Sequence, residues 1–453
     1  MLDPTSRAQA LARRFNNVLT ALGSLDDRKE TLTPATAALL AQVQDAVEAT
    51  RQAFEERWNN LAAVDPAVRD RLRTNLCDQV LRVLAEVAQT LLPALDGTTS
   101  QGIPVELDPI LTRLAHRADP TNPAVILSSA PGFQYSVQRV AAPIQMATSV
   151  TGKTVSTTAG LSTFLFLRLP KIERDSALLH VILAGHELGH VRDWATQTSQ
   201  NLVPPPLVLS TGAARAEDIV THKNLISFWA REIVADIFAA FIFGPASLLS
   251  FTELVLTVGT LSGDSFTHPG PNRRIEIILG VLRQLDYFDN QEARALLSDL
   301  EKATAGAAAT PVVVQQFSGQ EIPQAAWDWL SSQVPSLIAQ CQSALAPDEI
   351  LDAGKWQEIE AAASQLSRGR PFGELVTGSG DASGDISVIP VPEPIILNAG
   401  WLVRMRGYEG LAKIVDLDPR DTKQSADLAA ILDGLLLKSL EISDWRLNNA
   451  WGK

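Results

Sequence analysis

The run His186-Glu187-Leu188-Gly189-His190 joins residue types and spacing that together specify a reaction. On a helix, residues four apart share a face, so His186 and His190 project their imidazoles side by side, as two ligands of one metal ion must. Glu187 stands beside them. From there its carboxylate reaches a water polarised by the metal and takes its proton, the general-base role of this pattern in metal-dependent hydrolysis. Five residues alone are a weak signal, so their surroundings have to decide. Leu178, Val181, Ile182, Leu188 and Val191 recur at helical spacing, and Asp175 or Ser176 offers an N-cap. Gly185 and Gly189 each cost about 1 kcal/mol against alanine inside a helix, so their presence implies that close approach and an unobstructed metal face matter more than helix propensity. The competing reading is a buried helix whose two histidines are satisfied by core hydrogen bonds.

A third ligand is offered downstream, where Glu232 and Asp236 lie four apart within the apolar segment 225–243. Two acids on one face among Ile233, Phe238, Phe241 and Ile242 need a compensating charge, because an unpaired buried carboxylate is costly. A zinc ion supplies it. Glu232 then completes a set of three protein ligands with His186 and His190, leaving a fourth position open for water as catalytic zinc sites do. Asp236 accepts a hydrogen bond from the second ring nitrogen of a ligand histidine and fixes its tautomer. The alternative is a surface ion pair of Glu232 with Arg231 or Lys223. His222 has no acid four residues on to orient it, His180 falls on the far side of the helix from His186, and His116 stands alone.

These elements together resemble the gluzincin metallopeptidases. The likeness rests on His186 to His190 preceded by Val181-Ile182-Leu183-Ala184, and on Glu232-Ile233-Val234-Ala235-Asp236. Within that class the chain is most similar to the CAAX prenyl protease and heat-shock membrane peptidase group. Ser265-Phe266-Thr267-His268-Pro269 with Arg274-Ile275 resembles that group's Thr-His-Pro element and its downstream Arg-Ile. The resemblance implies that His268 lies near the active site, where a histidine stabilises the oxyanion of a tetrahedral intermediate, and that Arg274 supports the site. It covers about residues 144–285. A metzincin pattern would place glycine three residues after His190 and histidine six after it; the chain has Asp193 and Thr196 there. Membrane location and prenylated substrates do not carry over, because the membrane spans of that group have no counterpart in this sequence.

The elements that must position these residues are mostly helical. With 453 residues, two or three domains are expected. Thr33-Pro34 and Asp65-Pro66 are helix starts, each followed by a long amphipathic pattern, so 1–124 reads as a helical domain built on a hairpin. Short β-branched and aromatic runs at 124–128, 133–140, 143–150 and 153–158 predict a small sheet just before the metal helix, and an edge strand there would hold an extended peptide by backbone hydrogen bonds. The run 161–169 suits a buried helix or strand. A proline-rich loop, 197–215, follows the metal helix, either as a substrate-shaping lid or as a passive surface loop. A helix from Arg274 to Tyr287 closes a metallopeptidase domain at 125–290. The stretch 291–377 is helical, 378–385 is a glycine-rich linker, 386–391 and 394–397 are extended, and 378–453 ends in a helix from Thr422 to about Ile442.

Composition sets the outer bounds. Hydrophobic residues make up 46% and charged residues 20%, as in core-forming proteins, and the net charge of -13 argues against nucleic acid or an anionic membrane as partner. The N-terminus lacks the continuous apolar core of a secretory signal, and Cys77 and Cys341 fit free thiols in a reducing compartment, so a cytoplasmic location is expected. The apolar run 233–261 holds Asp236, Glu253 and Gly244-Pro245, which fits two core helices better than a membrane span. The expectation is therefore an α+β, mostly helical protein with a zincin-like core and flanking helical regions. Its expected function is that of a soluble zinc-dependent endopeptidase acting on a protein or peptide substrate, with Glu187 and His268 catalytic and the flanking regions open to a regulatory protein partner. The rival expectation is a non-catalytic regulatory or scaffolding protein that keeps a zincin-like metal site.

Overall fold

A computed structural model describes residues 4–27, 32–92, 95, 103–104, 106–130, 135–140, 164–173, 175–209, 214–258, 263–306, 312, 314, 321–377 and 387–450. These residues form an α+β fold that is mostly helical, with a three-stranded mixed sheet and a two-stranded ribbon. They divide into two compact units, Met1–Ile103 with Thr121–Arg174, and Pro104–Pro120 with Asp175–Lys453.

The first unit packs three helices, α1 (Pro4–Asp26), α2 (Pro34–Asn60) and α3 (Pro66–Glu86), where the sequence suggested a hairpin of two. α2 starts as its residues dictate: Thr33 is extended, and its Oγ1 accepts the Thr36 N–H at 3.2 Å, satisfying one of the donors left open at a helix start. The strands are β1 (Ala124–Ala130), β2 (Ser136–Val140) and β3 (Phe164–Pro170), so the ambiguous run at 161–169 contributes a strand. β3 is central, parallel to β1 with Ala124 opposite Phe164, and antiparallel to β2 with Val137 opposite Leu167. The expected strands at 143–150 and 153–158 lie outside the described residues. A domain break near 124 had followed from the change in composition. The contacts instead keep β1 and β3 with the helices, because Ile126, Phe164 and Phe166 complete one apolar core with Phe15, Leu39, Val43 and Val80.

The second unit takes in α4 (Leu107–Ala118) and then everything from the metal helix onward. That helix opens with a 3-10 turn at Ala177–Leu179, widens to a π turn at Ile182–Glu187 and ends as α5 (Leu188–Thr196). The helix of greatest burial is α6 (Ala216–Phe243), in which every residue from Glu232 to Phe243 is buried. A helix apolar on all sides has to be surrounded. The metal helix packs on it, as do α7 (Pro245–Val258), α8 (Pro271–Gln284), α10 (Glu321–Ser343) and α12 (Glu393–Met405). Between α6 and α7 the chain turns at Gly244, whose φ of 53° suits a residue without a Cβ. The apolar run 233–261 thus contains two core helices, and among the described residues no helix is long and apolar enough to cross a membrane.

The remaining elements are α9 (Gln291–Thr304), α11 (Trp356–Leu366), β4 (Glu374–Thr377), β5 (Ser387–Pro390), α13 (Glu409–Val415) and α14 (Thr422–Ala450). Two expectations change here. Residues 394–397 are helical, the first part of α12: Pro394 sits in the first turn, where a missing N–H is harmless, and Ile395, Ile396 and Leu397 are buried. Tertiary burial outweighs the β-branched propensity of the two isoleucines. The last helix also runs on to Ala450. The glycine-rich linker 378–385 lies outside the described residues.

Candidate metal centre

His186 and His190 belong to the metal helix, at the end of its π turn and the beginning of α5, and their ring centroids are 4.7 Å apart. π turns inside helices accompany functional sites more often than chance. The helix reaches α6 through its glycines. A Cβ on Gly189 would lie 2.7 Å from the Ala235 carbonyl oxygen, and one on Gly185 would lie 3.1 Å from the Ala239 Cβ. The clearance expected on the metal face is therefore clearance toward α6, the helix that carries Glu232. Gly185 and Gly189 on one side meet Ala235 and Ala239 on the other, small residues at the same four-residue spacing, a complementarity readable from the two segments together.

That approach brings Glu232 against both imidazoles. His186 Nε2 is 3.3 Å from Glu232 Oε2, and His190 Nε2 is 3.5 Å from Glu232 Oε1. One ligand atom from each of His186, His190 and Glu232 lies within 4.8 Å of the other two, and this partly buried group can hold a metal ion. Glu232 Oε2 is buried, and its nearest contacts are long ones, 3.3 Å to His186 Nε2 and to Arg274 Nη1. A buried carboxylate oxygen held this loosely has room for a closer cation.

Asp236, one turn further along α6, is 2% exposed and lies with Oδ1 2.9 Å from His186 Nδ1. It thereby holds the ring with Nε2 toward Glu232. Arg274, from the first turns of α8, grips the same carboxylate in a fork: its Nε–H donates to Asp236 Oδ2 at 2.7 Å and its Nη2–H to Oδ1 at 2.8 Å. Its Nη1 is 3.3 Å from Glu232 Oε2, and its guanidinium stacks on Phe251 of α7 at 4.5 Å. Nothing in the local sequence of Phe251 marks it as a neighbour of this site.

Charge explains the protonation of the group. Burial disfavours the His186 cation, but the charge and hydrogen bond of Asp236, with the hydrogen bond of Glu232, outweigh it and hold His186 up at about 10. His190 is pushed down to about 3 by burial and then by the neighbouring His186. Burial would raise Glu232, yet the His186 hydrogen bond and Arg274 hold it well below the usual carboxylate range. Asp236 is likewise lowered against its burial, chiefly by Arg274. Glu187 is 8% exposed, and its charge acts on Arg274. Three buried carboxylates, Glu187, Glu232 and Asp236, face the single guanidinium of Arg274. With His186 protonated one negative charge is left over; once His186 gives up its proton to act as a ligand, two remain, and these are what a divalent cation neutralises.

His268 stands at the exposed side of the group, its side chain 53% accessible and its Nε2 3.6 Å from Glu232 Oε2. A tight turn presents it. The Ser265 N–H donates to the His268 carbonyl at 2.8 Å, the His268 N–H donates to Ser265 Oγ at 2.9 Å, and Thr267 Oγ1 lies 2.7 Å from His268 Nδ1. Trp229 of α6 ties the turn down, donating from Nε1 to the Ser265 carbonyl at 3.0 Å. Asp264 closes its far end by accepting the Gly270 N–H at 2.8 Å and pairing with Arg273 at 3.2 Å.

The structure thus brings His186, His190, Glu232, Asp236, His268 and Arg274 into one contact group, with Glu187 beside them. It does not bring in His222, which is buried and hydrogen-bonded to the backbone of Ala325, or His180, which is buried outside the ligand group. Ser176 occupies the cap position of the metal helix, but its side chain makes no capping hydrogen bond. No protein-family model, curated protein or solved structure matches the chain.

Proposed function

We propose that the chain is a zinc-dependent endopeptidase of the gluzincin kind. The observation that carries the reading is the convergence of two imidazoles and one carboxylate, His186, His190 and Glu232, with a buried glutamate, Glu187, next in sequence to one of them. Two histidines and one carboxylate suit zinc, and three protein ligands leave a position free, as in catalytic rather than structural sites. Zinc held there supplies a Lewis acid for the scissile carbonyl and brings the pKa of a water to about 7.

The chain's own residues supply the remaining chemistry. The Glu187 carboxylate accepts a proton from the attacking water as its oxygen bonds to the carbonyl carbon. It returns that proton to the amide nitrogen as the C–N bond breaks. His268, at the accessible side, donates a hydrogen bond to the oxyanion. Asp236 fixes the His186 ring through Nδ1, and Arg274 keeps Asp236 and Glu232 ionised. Zinc, a peptide substrate and hydrolysis all belong to this one reading. Its test is cleavage of a broad peptide library by the full chain, first stripped with a chelator and then reloaded. Cleavage should vanish on stripping and return with zinc. A reloaded chain that cuts nothing in the library rules the reading out.

A further inference from the structure

The metal helix begins without a cap of its own. Its first turn, Ala177–Leu179, leaves N–H groups with no partner inside the helix, and the Ser176 side chain does not reach them. A partner arrives from 256 positions away. Asp433, on α14, accepts the Ala177 N–H at 2.9 Å through Oδ1 and is also hydrogen-bonded to the Leu178 backbone. On the acceptor side, Ser250 of α7 donates from Oγ to the Leu178 carbonyl at 2.8 Å. Trp401 of α12 then donates from Nε1 to that Ser250 Oγ at 3.0 Å. The backbone of Leu178 is therefore held from both sides, by Asp433 of α14 and by Ser250 of α7, and Trp401 of α12 holds Ser250 in turn; α12 and α14 are C-terminal and lie outside the motif-bearing segment.

We propose that Asp433 is a positioning residue for the metal centre: by capping the first turn of the metal helix it sets the helical phase with which His186 and His190 reach Glu232. The inference rests on the zinc reading above and adds that the C-terminal helices are part of the centre's framework, not a detachable regulatory arm. The register of a helix is fixed where its first turn is held, and the turns between Ala177 and His186 pass from 3-10 to π geometry. In such a segment the phase follows from its anchors, since the hydrogen-bond pattern changes along the way.

The chemistry of Asp433 gives the cap a signature. Burial pushes its carboxyl up to about 7, against the hydrogen bonds from Ala177 and Leu178 and the opposing charge of Arg404, with Glu253 adding to the rise. Tyr408 is the other titratable group facing it. A carboxyl with a higher pKa when packed than when solvated holds more protons packed, so packing tightens as the pH falls from about 7 toward about 4.

The experiment measures amide hydrogen-exchange protection at Ala177 and Leu178, and zinc affinity by chelator competition, in the full chain. Asp433→Ala should lower protection about tenfold, the worth of a typical N-cap, and weaken zinc binding about tenfold, as loss of a supporting group does. Asp433→Asn keeps one acceptor oxygen, so it should retain most of both. It should also lose the gain in protection on acidification that the wild-type chain displays. Wild-type protection and zinc affinity in Asp433→Ala overturn the proposal, as does lost protection with unchanged zinc affinity. If zinc binds and weakens as stated while no peptide is cut, the endopeptidase reading fails and the positioning role stands. If the wild-type chain binds no zinc, both fall.

Discussion

Arg113 on α4 stands to Glu393 and Asp444 much as Arg274 on α8 stands to Glu232 and Asp236. In each place one guanidinium is bound to two buried acids, Arg274 being buried and Arg113 partly exposed. In the first group the guanidinium lies between Glu393, at the start of α12, and Asp444, on α14, and Asn448 donates to the free oxygen of Asp444 at 2.9 Å. Among the described residues no histidine joins it as a metal ligand. In the second, Arg274 forks onto Asp236, while the ligand atoms of His186, His190 and Glu232 converge, and Glu187 adds a third acid. The difference teaches what makes a metal centre in a protein interior. Buried acids with an arginine between them are a structural fastener; two imidazoles and a carboxylate whose ligand atoms converge are a ligand set.

The comparison can be broken first at Arg113. Removing one partner from a buried charge cluster leaves the others uncompensated, at a cost of about 3–5 kcal/mol. Arg113→Met should lose that much stability in urea unfolding, and adding Glu393→Gln and Asp444→Asn should recover most of it. A loss below about 1 kcal/mol would mean that the cluster is solvated and not a fastener. At the metal centre the expected effect is smaller and appears only with the ion. Zinc at 100 times its Kd should stabilise the wild-type chain by about 2.7 kcal/mol. His190→Ala should abolish that gain, whereas Arg113→Met should keep it. An equal zinc-linked gain in His190→Ala would place the ion elsewhere.

The parts of the centre that sequence made legible are those in which spacing along one helix carries the meaning. His186 with His190 and Glu232 with Asp236 are local patterns, and the structure places each pair on one helix; away from the centre, the helix starts at Thr33-Pro34 and Asp65-Pro66 are local too, and α2 and α3 begin there. The pairing of Gly185 and Gly189 with Ala235 and Ala239 was half legible, as a cost in helix propensity that only a neighbouring backbone explains. What stayed hidden is nonlocal. Asp433 caps a turn 256 positions away, Arg113 meets Asp444 across 331, and no periodicity encodes either contact. β1 is legible as a strand and β3 only as an apolar run that suits helix or strand, and their membership of the N-terminal core is not legible, because an apolar face does not name its partner.

If Glu187 works as a base at a zinc centre built by the other residues, its loss must slow cleavage without emptying the centre, so cleavage and zinc content are measured together. Zinc-loaded full chain and its Glu187→Gln variant would be compared on the same peptide library, with bound zinc quantified in each sample. Full zinc occupancy is expected in both, with a rate lower by about 10²–10⁴-fold in the variant, the worth of a positioned acid–base group. Equal cleavage by the two zinc-loaded proteins would contradict that role for Glu187.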